Sequence, residues 1–304
     1  MAFAGVVHTP GAAAEAQPQK RGRAIPYLLL APGMLWLAVF FVLPIALLFT
    51  TSLMVPVPGG EIGEYAPAAR FANYVDAVTT YWPQFLRSFG YGLLATVLAL
   101  AIGYPLAYAI AVRARHRKLL QQMLLVMVIA PFFVSFILRT LAWRQILADE
   151  SVVVTVLKAI QILPDGARLT ATPVAVIAGL TYNFLPFMTL PIYASLERLD
   201  LRLIEAGQDL YASAVSTFRR VTLPLSMPGV VAGTLLTFIP ATGDYVNAAL
   251  LGTSRTAMIG NVIDSRFFRV VDYPTAAALS FLLMGAIVVL VAAYVRRAGT
   301  EDLV

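Results

Sequence analysis

Residues 205–224 read EAGQDLYASAVSTFRRVTLP, a charged, amphipathic stretch set between two apolar runs, near 172–195 and 228–251, that are each long enough to cross a membrane. Asp200 stands where it can cap a first short helix, with Leu203, Ala206 and Leu210 on one face. Ser213 stands where it can cap a second, with Ala214, Phe218 and Val221 on one face, and Asp209, Arg219 and Arg220 are left free for polar contacts. Pro224 and Pro228 then stop the surface segment and start the next span, because proline is tolerated only in a first helical turn.

Working outward, the whole chain has the composition of a membrane protein. Of its 304 residues 60% are hydrophobic and 12% charged, against roughly half and a quarter in soluble domains. Six segments reach the ~20 apolar residues that a spanning helix needs: near 26–50, 88–112, 119–143, 172–195, 228–251 and 273–295. The fifth is interrupted by Pro240 and Gly243. The segment 151–163 is too short to span and reads as an interfacial helix in an outer loop, and 51–87 reads as an outer loop. The expected fold is therefore all-α, with six transmembrane helices in one domain over 26–297. Residues 1–25, rich in Ala, Gly and Pro, read as a disordered tail, and 298–304 as a short one. The basic loop Arg113, Arg115, Arg117 and Lys118 and the basic cluster Lys20, Arg21 and Arg23 place both termini, 113–118 and the loop 196–223 in the cytoplasm. This topology explains the net charge of +6 without nucleic acid.

Other functions lack their residues. There is no cysteine, and the only histidines are His8 and His116, in the tail and the basic loop, which leaves no metal site and no His-dependent catalytic centre in the membrane. No G-x-S-x-G occurs. Lys20, Lys118 and Lys158 are never preceded by glycine, so the chain has no phosphate-binding G-K-[ST] and no ATP site of its own. A stand-alone secondary carrier should show repeated halves and central ionisable groups, and no repeat is visible.

The opening stretch resembles the coupling loop of ABC importer permeases, whose pattern is E-A-A, three residues, G, nine residues, I-x-L-P. Here Glu205, Ala206 and Gly207 are followed after three residues by Tyr211 and after nine more by Val221, Thr222, Leu223 and Pro224. Gly207 replaces the second Ala and Tyr211 the usual Gly, so Tyr211 must turn the chain conventionally or adopt a positive φ. The segments LRTLAW at 138–143, YNFLPF at 182–187, YASLER at 193–198, FIPA at 238–241, LLG at 250–252 and MIGN at 258–261 are similar to the first permease subunit of spermidine/putrescine importers. That resemblance covers residues 26–297 and implies a multi-pass subunit of a prokaryotic inner membrane. It also implies a second permease, two ATPase subunits that bind ATP and Mg, and an extracytoplasmic binding protein as partners. The implied substrate is a polyamine, with another small organic ion as the alternative. It gives coupling roles to Glu205, Ala206, Gly207, Asp209, Tyr211, Phe218, Leu223 and Pro224.

Polar groups at membrane depth are candidates for a substrate path. Tyr182 and Asn183 fall about 15 Å into the fourth span, and Thr237 lies at similar depth in the fifth. Asp244 and Asn247 follow the Pro240/Gly243 interruption, where freed backbone can line a cavity. A carboxylate beside aromatic rings suits an organic dication. The competing expectations are that Asp244 is solvated at the outer mouth or paired with Arg139, and that Tyr104 and Tyr108 are packing residues.

Overall fold

The computed structural model describes residues 24–164, 166–209 and 211–298. The tails beyond these limits, and Leu210 of the first coupling face, lie outside the described residues. The chain divides into two units, Met1–Leu48 and Phe49–Val304. Helix α1 (Ala24–Leu37) runs through a π-turn at Ala38–Val42 into α2 (Leu43–Ser52). The run Leu29–Ser52 is apolar on all sides with a mean hydropathy of 2.3, as expected of a span in lipid.

In the second unit, strands β1 (Met54–Pro56) and β2 (Tyr65–Pro67) pair as an antiparallel hairpin. Its loop carries Gly59 and Gly63 at positive φ, and Tyr65 Oη donates to the Val271 carbonyl at 2.7 Å. Helix α3 (Ala72–Tyr108) ends in a π-turn at Ala109–Arg113. It starts well before the expected edge at 88, so the supposed outer loop 51–87 is half helix. Apolarity marks where a helix enters lipid, whereas a helix outside lipid needs only an unbroken backbone. The 42-residue run is about 63 Å long, roughly twice the hydrocarbon thickness.

The third expected span, 119–143, is not straight. Helix α4 (Lys118–Ile129) and a 3₁₀ turn at Ala130–Phe133 precede α5 (Phe136–Ile146), and the two arms meet at 100°. Pro131 and the extended Val134 and Ser135 make the corner. The short apolar segment 151–163 forms α6 (Val152–Ala159), capped by Ser151 Oγ on Val154 N. Helix α7 (Pro173–Glu197) begins with Thr172 as N-cap and Pro173 in its first turn.

After α7 come α8 (Leu201–Asp209), α9 (Ala214–Thr217), a π-turn at Phe218–Thr222, α10 (Leu223–Leu225) and α11 (Met227–Gly243). The fifth span breaks at Gly243, not at Pro240, which sits inside α11; the chain resumes in α12 (Val246–Leu251), then α13 (Ile259–Asp264), a π-turn at Ser265–Arg269 and α14 (Tyr273–Ala298). Among the described residues four helices are long and apolar enough to cross a membrane, and the two bent pairs bring the number to as many as six.

The core is α3, α7 and α11. Helices α3 and α7 run in the same direction: Ala95 clusters with Leu180, and Ala111 with Leu196. Helix α11 runs against them, with Gly229 at Ser195 and Gly233 at Met188. A Cβ on Gly229 would lie 2.6 Å from the Pro191 carbonyl, so only glycine permits this crossing. At one end of the bundle Arg115 Nη1 donates to the Leu199 carbonyl at 2.8 Å. The basic loop and the 196–223 loop therefore lie at the same end, as the charge pattern requires.

Candidate functional site

The first candidate is the arm 201–225. Asp200 Oδ1 accepts from Arg202 N at 3.0 Å and Ser213 Oγ accepts from Ser216 N at 3.2 Å, so both expected caps form. Between the helices Tyr211 takes φ 58° and Ala212 N donates to the Gly207 carbonyl at 3.1 Å. This is the 6→1 bond of a Schellman cap, with tyrosine at the left-handed position where glycine is usual. Gly207 lies close to α9: a Cβ there would be 3.2 Å from Thr217 Cγ2.

The arm's apolar residues divide into two sets. Leu203 and Val215 are exposed, Val215 at 67%, and so is Tyr211; Glu205, Ala206, Asp209 and Pro224 share that exposure. Phe218, chosen from sequence as an outward contact, turns inward instead. Its ring meets Tyr104 edge-on at 5.4 Å and Tyr108 at 6.4 Å, and Leu223 packs in the same cluster. The sequence face of Ala214, Phe218 and Val221 assumed α-periodicity, and the π-turn at Phe218–Thr222 changes that register. Val215 was missed because helical spacing alone does not say which of two apolar stripes faces the protein.

The second candidate is the break after α11. Asn183 Nδ2 donates to Thr140 Oγ1 and to Asn247 Oδ1, both at 3.0 Å. Asp244 Oδ1 accepts from Asn247 N at 2.7 Å and so caps α12. Asn183, Asn247, Thr140 and Thr237 are fully buried, and Asp244 is 8% exposed. Three sequence candidates, Asn183, Asp244 and Asn247, thus form one buried network joining α5, α7 and α12. Tyr182 stands beside it with its ring 5.3 Å from Trp143. Thr237 is separate, its Oγ1 without a hydrogen-bond partner among the described residues. Thr140 was missed; it lies in the LRTLAW segment, next to Arg139. No ion pair joins Arg139 to Asp244 among the described residues: Arg139 is 9% exposed, its Nε and Nη1 are unpartnered, and its guanidinium lies 5.5 Å from the Phe136 ring. Gly179 makes the break compact, since a Cβ there would lie 2.3 Å from Leu251 Cδ1 and 2.8 Å from Asn247 Oδ1.

Residues 103–298 match the model of the family described as binding-protein-dependent transport system inner membrane component. The chain belongs to this family. Within it, the chain is 34% identical over 248 residues to the spermidine/putrescine transport system permease protein PotB of Escherichia coli (strain K12), covering 82% of this chain and 88% of that one. It is 35% identical over 263 residues to PotB of Haemophilus influenzae (strain ATCC 51907 / DSM 11121 / KW20 / Rd), covering 86% and 90%. Among solved structures, a bacterial ABC transporter involved in the import of the acidic polysaccharide alginate superposes with a TM-score of 0.67 at 18% identity, covering 90% of this chain and 94% of that one. A bacterial alginate ABC transporter in complex with an alginate pentasaccharide-bound periplasmic protein gives 0.66 at 17%, covering 91% and 95%. These structures establish the permease fold. As a member of this family the chain is a multi-pass inner membrane component.

Proposed function

We propose that this chain is the permease subunit of an ATP-driven importer of polyamines such as spermidine or putrescine, and that it encloses the path together with a second permease. The observation that carries the proposal is the arm 201–225: two capped helices at one end of the bundle, with Leu203 and Val215 exposed among Glu205 and Asp209. An apolar surface with a polar rim suits docking to a soluble partner, here an ATPase subunit that binds ATP and Mg. The names of the relatives at 34–35% identity supply the substrate class; an extracytoplasmic binding protein would deliver it. Six spans with both termini cytoplasmic would put the arm on the ATP side. Asp244 would attract the cation in the outer half of the path, with Tyr182, Asn183, Thr237 and Asn247 nearby. The network is closed in this single chain, so transport would require the break at Gly243–Tyr245 to open. The alternative substrate is another small organic ion.

The test is affinity purification of the tagged chain from its native membrane, with uptake measured in the same cells. ATPase and second-permease subunits should copurify, and labelled putrescine or spermidine uptake should depend on ATP. A chain that purifies alone and follows an ion gradient would be a secondary carrier. Uptake without competition by polyamines would point to the other substrate.

A further inference from the structure

Resting on the coupling role of the arm, we propose that Tyr104 is a positioning residue that braces the bend between the arm and the α11 span, so that displacement of the arm reaches the span instead of being absorbed at the bend.

Residues Ala214–Leu225 and Met227–Gly243 meet at 66°, with Ser226 at the corner and fully buried. A bend joined only by its own backbone is a compliant point, because its hydrogen-bond ladder is interrupted there. Here a third element crosses it. Tyr104 Oη, from α3, lies 2.7 Å from Ser226 Oγ. Ser226 Oγ also lies 3.1 Å from the Leu223 carbonyl, an acceptor only, so with Ser226 donating there and accepting from Tyr104 both hydroxyls are satisfied in one chain from α3 through the corner to α10. The same tyrosine ring meets Phe218 edge-on at 5.4 Å, on the arm side of the corner. Tyr104 therefore contacts the arm by its ring and the corner by its hydroxyl, while buried itself. Gly229 in turn sets the first turn of α11 directly against Pro191 and Ser195 of α7. The corner and the first turn after it are thus held by α3 and α7. Two π-turns flank the brace, Phe218–Thr222 on the arm and Ala109–Arg113 just past Tyr108; such turns recur where helices carry functional adjustments.

The experiment uses the complete transporter in proteoliposomes, comparing wild type, Tyr104→Phe, Ser226→Ala and the double variant. The readouts are substrate imported per ATP hydrolysed, stimulation of ATPase by the loaded binding protein, subunit copurification and thermal midpoint. Tyr104→Phe removes one donor and leaves Ser226 bonded to Leu223. Import per ATP should fall about fivefold, the effect of one ordinary hydrogen bond if its full value goes to coupling, with assembly and midpoint held. The double variant should match Tyr104→Phe. Unchanged import per ATP in Tyr104→Phe, or losses that add as independent effects in the double variant, would overturn the brace. Should Tyr104→Phe fail to assemble, Ser226→Ala decides by the same ratio. A wild-type complex without an ATPase would contradict the functional proposal and the brace together; a coupled wild type with indifferent variants overturns the brace alone.

Discussion

Tyr211 holds φ 58° with its side chain fully exposed. A left-handed backbone costs a non-glycine residue roughly 1–2 kcal/mol, and glycine would relieve it while adding freedom to the unfolded chain worth about 0.4–1 kcal/mol. Tyr211→Gly should leave assembly, ATPase copurification and uptake within roughly twofold of wild type, because the strain relieved is at least as large as the freedom added to the unfolded chain. A loss of copurification would show that the ring itself docks. Asp244 is a sharper case. Its Oδ1 caps α12, and an amide oxygen can accept the same bond, so Asp244→Asn separates charge from cap. Uptake at low polyamine should fall by about tenfold or more, since a charge-assisted hydrogen bond is worth on the order of 1.5–3 kcal/mol. Unchanged uptake over a full concentration series would reduce Asp244 to a helix cap.

At the scale of elements, the break after α11 depends on close approach. Gly179→Ala would push a Cβ into Leu251 and Asn247, at a cost of about 1–3 kcal/mol. The thermal midpoint in detergent should drop, whereas Gly90→Ala, with nothing within 4 Å of the added Cβ, should leave it unchanged or raise it. Equal shifts would show that the α7–α12 contact is not tight. In the arm, Phe218→Asp would set a carboxylate among Tyr104 and Tyr108, detach the arm from α3 and lose the ATPase; Glu205→Ala should weaken docking from the outside, with insertion intact. Wild-type copurification in both would count against the arm as the docking element. Much of this was legible in sequence. Asp200 and Ser213 announced both helix starts, since a capping side chain acts on its own next turn. Tyr211, standing where glycine is usual, left either a conventional turn or a positive φ open, and the chain takes the second. The inward turn of Phe218 was not legible, because π-turns and interhelical contacts are settled by tertiary packing. The network of Asn183, Thr140 and Asn247 was half visible as polar residues at membrane depth; their mutual bonding depends on a 100° corner that Pro131 alone does not specify.

For the molecule as a whole, hydropathy located the apolar segments and missed their shape. It set the start of α3 too late and took the bent pair Lys118–Phe133 and Phe136–Ile146 for one uninterrupted span, because it measures affinity for lipid and not backbone continuity. The chain contains no cysteine, which makes topology directly testable. Asp200→Cys should be shielded from an impermeant thiol reagent in intact cells, and Gly60→Cys should be labelled; the reverse pattern would invert the topology. The central claim, that the chain works as one part of an ATP-driven importer, is tested most directly by reconstitution. Proteoliposomes containing this chain, the second permease and the ATPase, with loaded binding protein outside and Mg-ATP inside, should accumulate labelled polyamine against its gradient. They should stop when ATP is replaced by ADP. Accumulation driven by an ion gradient without ATP, or equal accumulation when the ATPase subunit is omitted, would contradict it.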